Sequence, residues 1–207
     1  MPEGQRRIFE AAVDEFAEHG FAGSSTLAIA ERAGVSEGLI FKYFKSKAAL
    51  LRQVVFPVLA TAIMPLAIRG VKTVTDADHE SFADFLGALI RERLDFARRH
   101  KKHLRILLQE LPLNEELRSR MVKGLHSELL PVITDKITRY QKQGKLRAMP
   151  VKQMLSYLVP QIIGFVLSRA VFDFEFAANE QQDIETLIGV MMHGVAAPQR
   201  IVKRGKK

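Results

Sequence analysis

The chain has 207 residues and a formal net charge of +8, with 47% hydrophobic and 26% charged residues. That composition allows one or two folded domains with a sizeable core, and the absence of cysteine excludes a disulfide framework or a thiolate metal site. The opening MPEGQRRIFEAAVDEF carries acidic residues and no apolar run, so a secretory signal is not expected and the cytoplasm is the expected compartment.

In chain order, almost every segment reads as helix. Ile8, Phe9, Ala12, Val13 and Phe16 share one helical face, and Gly20 closes that helix. Ser24 or Ser25 can cap a second helix over residues 27–33, which Gly34 ends. Ser36 caps a third over 37–44, and Ser46 a fourth whose apolar run passes Ala60. The apolar stretch between Arg52 and Arg69 is shorter than the roughly 18 residues a membrane span needs, and it contains Pro57 and Pro65. A kinked, buried helix is predicted there, and no membrane partner.

Further helices are predicted over 82–96 and 104–111, from near Asn114, and over about 126–143, 151–174 and 181–196. No alternating strand pattern appears. The fold class expected is all-α, with a small three-helix N-terminal part at 1–47, a larger helical body at 48–200, and a basic, disordered tail at 201–207.

The stretch AERAGVSEGLIFKYFKSKAAL, residues 30–50, carries the functional signal. Two short helices about a tight turn at Gly34 form a helix-turn-helix pattern, in which glycine supplies the positive φ without a Cβ clash. Ile40 and Phe44 are four apart and face inward, leaving Glu37, Leu39, Lys42 and Tyr43 for a partner. Gly38 would allow close approach to a surface. A single helix fits the major groove, and its N-terminal residues reach the base edges. Lys47 lies at the start of the fourth helix, where it opposes the positive end of the helix dipole unless an anion is near. Charge alone does not argue for DNA here. Residues 1–47 hold six basic and seven acidic side chains, net −1, while the basic excess lies in RRHKKHLR and KRGKK.

These residues resemble the TetR family of bacterial transcriptional repressors. IFEAAVDEFAEHGF resembles its first helix, IAERAGVSEG its turn, and LIFKYFKSKAAL its recognition helix and the start of its fourth. The resemblance covers about a quarter of the chain and implies a dimeric, ligand-responsive DNA-binding regulator. Three positions depart from the pattern. Phe41 replaces a frequent tyrosine, Ala48 a common glutamate, and Leu39 a small or hydroxyl residue. By role, Ser25, Thr26, Tyr43 and Lys47 would hold phosphates, with Ser36 capping the reading helix. Glu37, Gly38, Leu39 and Lys42 would face bases: Lys42 donating to guanine, Glu37 accepting from cytosine, Leu39 touching a thymine methyl. Glu37 reads equally well as a plain helix-start carboxylate.

The segment MLSYLVPQIIGFVLSRAVF is apolar nearly all round, which calls for cover on every side. With the last helix it resembles the family's dimer bundle, offering Leu158, Ile162, Ile184, Leu187, Ile188 and Met191. Phe85, Leu89, Leu108, Met121, Tyr157, Gln161 and Phe165 are candidates for an apolar effector pocket, Tyr157 and Gln161 as its polar anchors, although most such residues are ordinary core. His100 and His103 are three apart but lack a third ligand, so no metal or cofactor is expected. No nucleophile, base and oxyanion donor can be grouped, so an enzyme is not expected. The partners anticipated are an inverted-repeat DNA operator, a small-molecule effector and a second copy of the chain. The competing readings are a ligand-independent DNA-binding protein, and an all-α carrier or enzyme for a lipid-like molecule.

Overall fold

A computed structural model describes residues 2–174 and 179–195. The regular elements among the described residues are all helices, as the sequence predicts. They are α1 (Glu3–Gly23), α2 (Thr26–Ala33), α3 (Glu37–Phe44), α4 (Lys47–Asp76), α5 (Phe82–Arg99), α6 (Lys101–Glu110), α7 (residues 115–142), α8 (Val151–Ala170) and α9 (Glu180–Val195). The basic tail, 201–207, lies outside the described residues.

The chain forms two compact units. The first takes residues 1–70 and 95–128, the second 71–94 and 129–207. The first is therefore larger than residues 1–47. The reason is packing: Leu50, Leu51, Val55 and Leu59 on the first half of α4 are buried in one core with Ile8, Phe16, Ile29, Ile40 and Phe44. Phe96, Ile106 and Leu117 complete that core from the end of α5, from α6 and from α7. The second unit buries Phe82, Phe85, Leu86 and Ile90 of α5, Ile137 and Tyr140 of α7, Met154, Leu158 and Ile162 of α8, and Ile184 and Met191 of α9. An Arg169–Asp183 ion pair joins α8 to α9.

Prolines explain a local feature of the long helices. A proline ring clashes with the carbonyl four residues back. Three π turns, Leu51–Val55, Leu59–Ile63 and Leu125–Leu129, each end two residues before a proline: Pro57, Pro65 and Pro131. The residues just before Pro57 and Pro65 bond five back, Phe56 N–H to the Leu51 carbonyl and Met64 N–H to the Leu59 carbonyl. Widening by one residue removes the clash without ending the helix. It also corrects the expected helix start near His126, since α7 runs through that position as a π turn. Pro160 in α8 is the exception, because the helix stays α around it.

Helices α4 and α8 are both long and apolar enough to cross a membrane by length and composition. Each nevertheless buries one face in a helical core, Leu51, Val55 and Leu59 in α4 and Met154, Leu158, Ile162, Val166 and Ala170 in α8.

Burial lowers the pKa of His100, assisted by Arg99, and that of His103, assisted by His100 and Lys102. A lowered histidine means that the folded chain binds fewer protons than the unfolded chain as pH falls through about 6.5. Stability contributed by the neutral rings is therefore present at neutral pH and lost on acidification. The thermal midpoint should fall between about pH 7.5 and about pH 5.5. His103→Gln should shrink that fall; an equal fall in the variant would contradict the assignment.

Candidate nucleic-acid interface

Three side-chain clasps hold the helix-turn-helix. The first secures the end of α1. Gly20, at φ 72°, turns the chain there. The buried Ser24 hydroxyl then donates to the Gly20 carbonyl at 2.5 Å. Lys47, in the first turn of α4, reaches back to the Phe21 carbonyl at 2.5 Å and the Ser24 carbonyl at 2.6 Å. Its ammonium also lies 4.5 Å from the centre of the Phe21 ring, within cation–π range. A cation at a helix C-terminus meets the negative end of the dipole. The charge that is unfavourable on α4 is thus satisfied by α1. Two of its three N–H donors are thus engaged within the chain, which supports a bracing role for Lys47 in place of the expected phosphate contact.

The second clasp holds the turn. Gly34 has φ 62° and ψ 43°, and its N–H donates back to Ala30 and Glu31. Its carbonyl accepts from the Arg7 guanidinium at 2.9 Å. A Cβ at Gly34 would collide with that guanidinium. The third clasp joins the starts of α2 and α3, where the Thr26 hydroxyl donates to the Glu37 carboxylate at 2.6 Å. Glu37 is therefore a brace between the two helices, in keeping with its reading as a helix-start carboxylate. One of its oxygens is already occupied by Thr26.

Capping follows the sequence with one difference. Ser25 accepts from Ala28 N–H, and Ser46 from Ala49 N–H, but the Ser36 hydroxyl makes no cap bond. The outward face of α3 also differs from the expectation. Ile40 and Phe44 are buried. Leu39 and Tyr43 are half-buried and pack against the core. Leu39 therefore gives part of its surface to the first unit's core and has only the remainder for a base. What α3 leaves exposed is Gly38, Phe41 and Lys42, followed by Lys45 just past its end. Gly38 has open space at its Cβ position, and Phe41 is 47% exposed. Phe41 and Lys45 were missed as facing residues. The departure at Phe41 was the available signal, because an apolar side chain among lysines needs a reason.

The electrostatics explain how a segment of net −1 can present a cationic face. Arg32 gathers Glu18 at 2.7 Å, Glu15 at 3.6 Å and Asp14 at 4.0 Å. The Arg32 guanidinium holds the Glu18 carboxyl below its ordinary range. Lys102 of α6 pairs with Asp14 at 2.7 Å, and Arg6 with Glu10 at 2.8 Å. These acids lie on α1 and are neutralised there, so Lys42 on α3 and Lys45 just after it are not opposed by them.

The body residues fall differently from the expectation. Leu158, Ile162, Ile184 and Met191 are buried within their own chain, so none of them is a surface for a second copy. Leu187 and Ile188 are half-buried. The exposed apolar residues of α8 and α9 are instead Tyr157, Val159, Ile163 and Val190. Tyr157 is 56% exposed, so it does not anchor an internal pocket, and neither does the exposed Gln161, which donates to the Tyr157 carbonyl. Phe85 is core, tilted against Phe82 and edge-on to His79. Leu89 and Phe165 in the second unit, and Leu108 and Met121 in the first, are half-buried. A cavity of about 90 Å³ in the first unit is lined by other residues: Arg52, Phe56, Pro57 and Ala60 of α4, with Asn114, Glu116, Leu117 and Arg120.

Replacing Lys47 tests the first clasp. Lys47→Met should destabilise the chain by about 1–2 kcal/mol in denaturant unfolding, by loss of two charge-assisted hydrogen bonds. The salt dependence of DNA binding by the folded fraction should not change. Lys42→Ala should do the reverse, keeping stability and lowering the salt slope by about one charge.

Comparison with known proteins agrees with the geometry. Residues 8–54 match the family described as bacterial regulatory proteins, tetR family. The chain is 37% identical to the transcriptional repressor SCO4008 of Streptomyces coelicolor over 110 residues, covering 53% of this chain and 50% of that protein. It is 31% identical to the transcriptional regulator RutR of Escherichia coli over 147 residues, covering 69% of this chain and 64% of RutR. The matches thus span about half to two thirds of these relatives' length. The ketosteroid transcriptional regulator KstR2 of Mycobacterium tuberculosis has the same fold, with a TM-score of 0.64 at 15% identity over 94% of this chain and 95% of that one. The chain belongs to the TetR family of bacterial helix-turn-helix regulators.

Proposed function

We propose that the chain is a cytoplasmic transcriptional repressor that binds an inverted-repeat operator as a homodimer and releases it when a small molecule binds. The observation that carries the reading is the braced helix-turn-helix, with Gly38, Phe41 and Lys42 exposed on α3 and Lys45 exposed just after it. Ser25, at the start of α2, remains a phosphate contact. Two copies would place their α3 helices in major grooves about 34–36 Å apart, or a multiple of that.

The dimer part of the reading rests on Tyr157, Val159, Ile163 and Val190, large side chains that the chain leaves open on α8 and α9. Gly164 and Gly189 have open space where a side chain would begin, which suits close packing of another helix. The effector part rests on α4. The cavity beside its first π turn combines two arginines with Phe56 and Pro57, and α4 begins directly after the DNA-reading helices. A molecule releases DNA only by its difference in affinity between two conformations, so a hundredfold release needs about 2.7 kcal/mol of coupling.

Two measurements test the reading. Ile163→Asp would bury a charge in the contact and should convert a dimer to a monomer in light scattering; a wild-type chain that is monomeric at micromolar concentration contradicts the dimer. Calorimetry of a bound effector with and without operator should show weaker binding on the operator complex. Equal affinities would rule that molecule out as the releasing ligand.

A further inference from the structure

We propose that Phe41 is a specificity residue whose phenyl ring takes the 5-methyl group of a thymine in the major groove. The inference rests on α3 being the base-reading helix. On α3 the buried Ile40 and Phe44 define the inward side, and Gly38 and Lys42 lie opposite. Phe41 follows Gly38 by three residues, so the two are neighbours on the helix surface. It is the one large apolar side chain among the described residues of α3 that is exposed, at 47%. Leu39 packs against the core, and Tyr43 packs there too, 6.1 Å from the Phe44 ring centre.

The chemistry of the groove limits what such a ring meets. Guanine, adenine and cytosine present nitrogen and oxygen acceptors and amino donors there, whereas thymine adds a methyl group. A phenyl ring has no donor or acceptor to satisfy an amino group or a phosphate, and it loses its exposed apolar area favourably only against that methyl. Gly38 lets the backbone come close enough for the Phe41 ring to reach the groove floor, since its Cβ position is open. Lys42, exposed on the same side, supplies the polar half of the contact to a neighbouring guanine. The pair reads a thymine beside a guanine.

The test uses the full chain and a duplex selected by it from random sequences. Each thymine of that duplex is replaced in turn by uracil, which removes only the methyl. For the wild-type chain, one thymine per half-site should lose about three- to fourfold in affinity on replacement, the effect of a single buried methyl. In Phe41→Ala that loss should vanish, while in Lys42→Ala it should persist. Phe41→Leu serves in the same comparison should the alanine variant misfold, and should retain part of the loss. Uracil tolerated at every thymine by the wild-type chain, a selected duplex without thymine, or a loss unchanged in the Phe41 variants would each overturn the proposal. A chain that selects no duplex sequence at all would instead contradict the DNA-reading role of α3.

Discussion

The structure of the DNA-reading segment depends on one cation in an unusual place. Lys47 begins α4, yet its ammonium sits on the carbonyls of Phe21 and Ser24 at the end of α1. An ammonium beside the positive end of its own helix is unfavourable, and one at the negative end of another is favourable. The same side chain thus converts a local cost into a cross-link of 26 residues along the chain. Between its two ends lie α2, the Gly34 turn and α3. Arg7 on the turn and Thr26 on Glu37 remove the remaining freedom. The reading helix is held at its start through Glu37 and otherwise by bonds that bypass it, which leaves Gly38, Phe41 and Lys42 uncommitted.

That arrangement also separates net charge from function. The chain is basic overall, but its first 47 residues are not. Asp14, Glu15 and Glu18 lie around Arg32, and Asp14 also meets Lys102. These carboxylates serve packing of α1 against α2 and α6, and they are absent from the α3 face. A potential at a groove depends on which charges face it within about a Debye length, roughly 8–10 Å at ordinary salt. Summed charge over a domain does not describe it.

Much of this was legible in the sequence, and the parts that were not share a cause. Caps at Ser25 and Ser46, the turn at Gly34 and the buried pair Ile40 and Phe44 follow from local rules, because each depends on neighbours within one turn. The roles of Lys47, Arg7 and Thr26 were hidden because their partners lie 11 to 27 residues away. Helical spacing placed Leu39 outward, but packing of the first unit covers part of it. The expected helix over 126–143 already ran through Pro131; what was missed is that the chain stays helical before it, carried by the π turn Leu125–Leu129. In α8, an apolar surface all round suggested burial all round. The chain itself buries one stripe, Met154, Leu158, Ile162 and Val166, and leaves Tyr157 and Ile163 open. Which stripe faced inward was not recoverable from composition.

The central claim is that a braced α3, rather than the strongly basic corner at residues 98–105, is the surface that meets DNA. The most direct measurement is a map of backbone amide shifts by nuclear magnetic resonance as a selected duplex is added. The account predicts the largest changes at residues 36–45 and at Ser25, with the Phe21, Ser24 and Lys47 positions held nearly constant by their mutual bonds. The largest changes at residues 98–105, with α3 undisturbed, would contradict it.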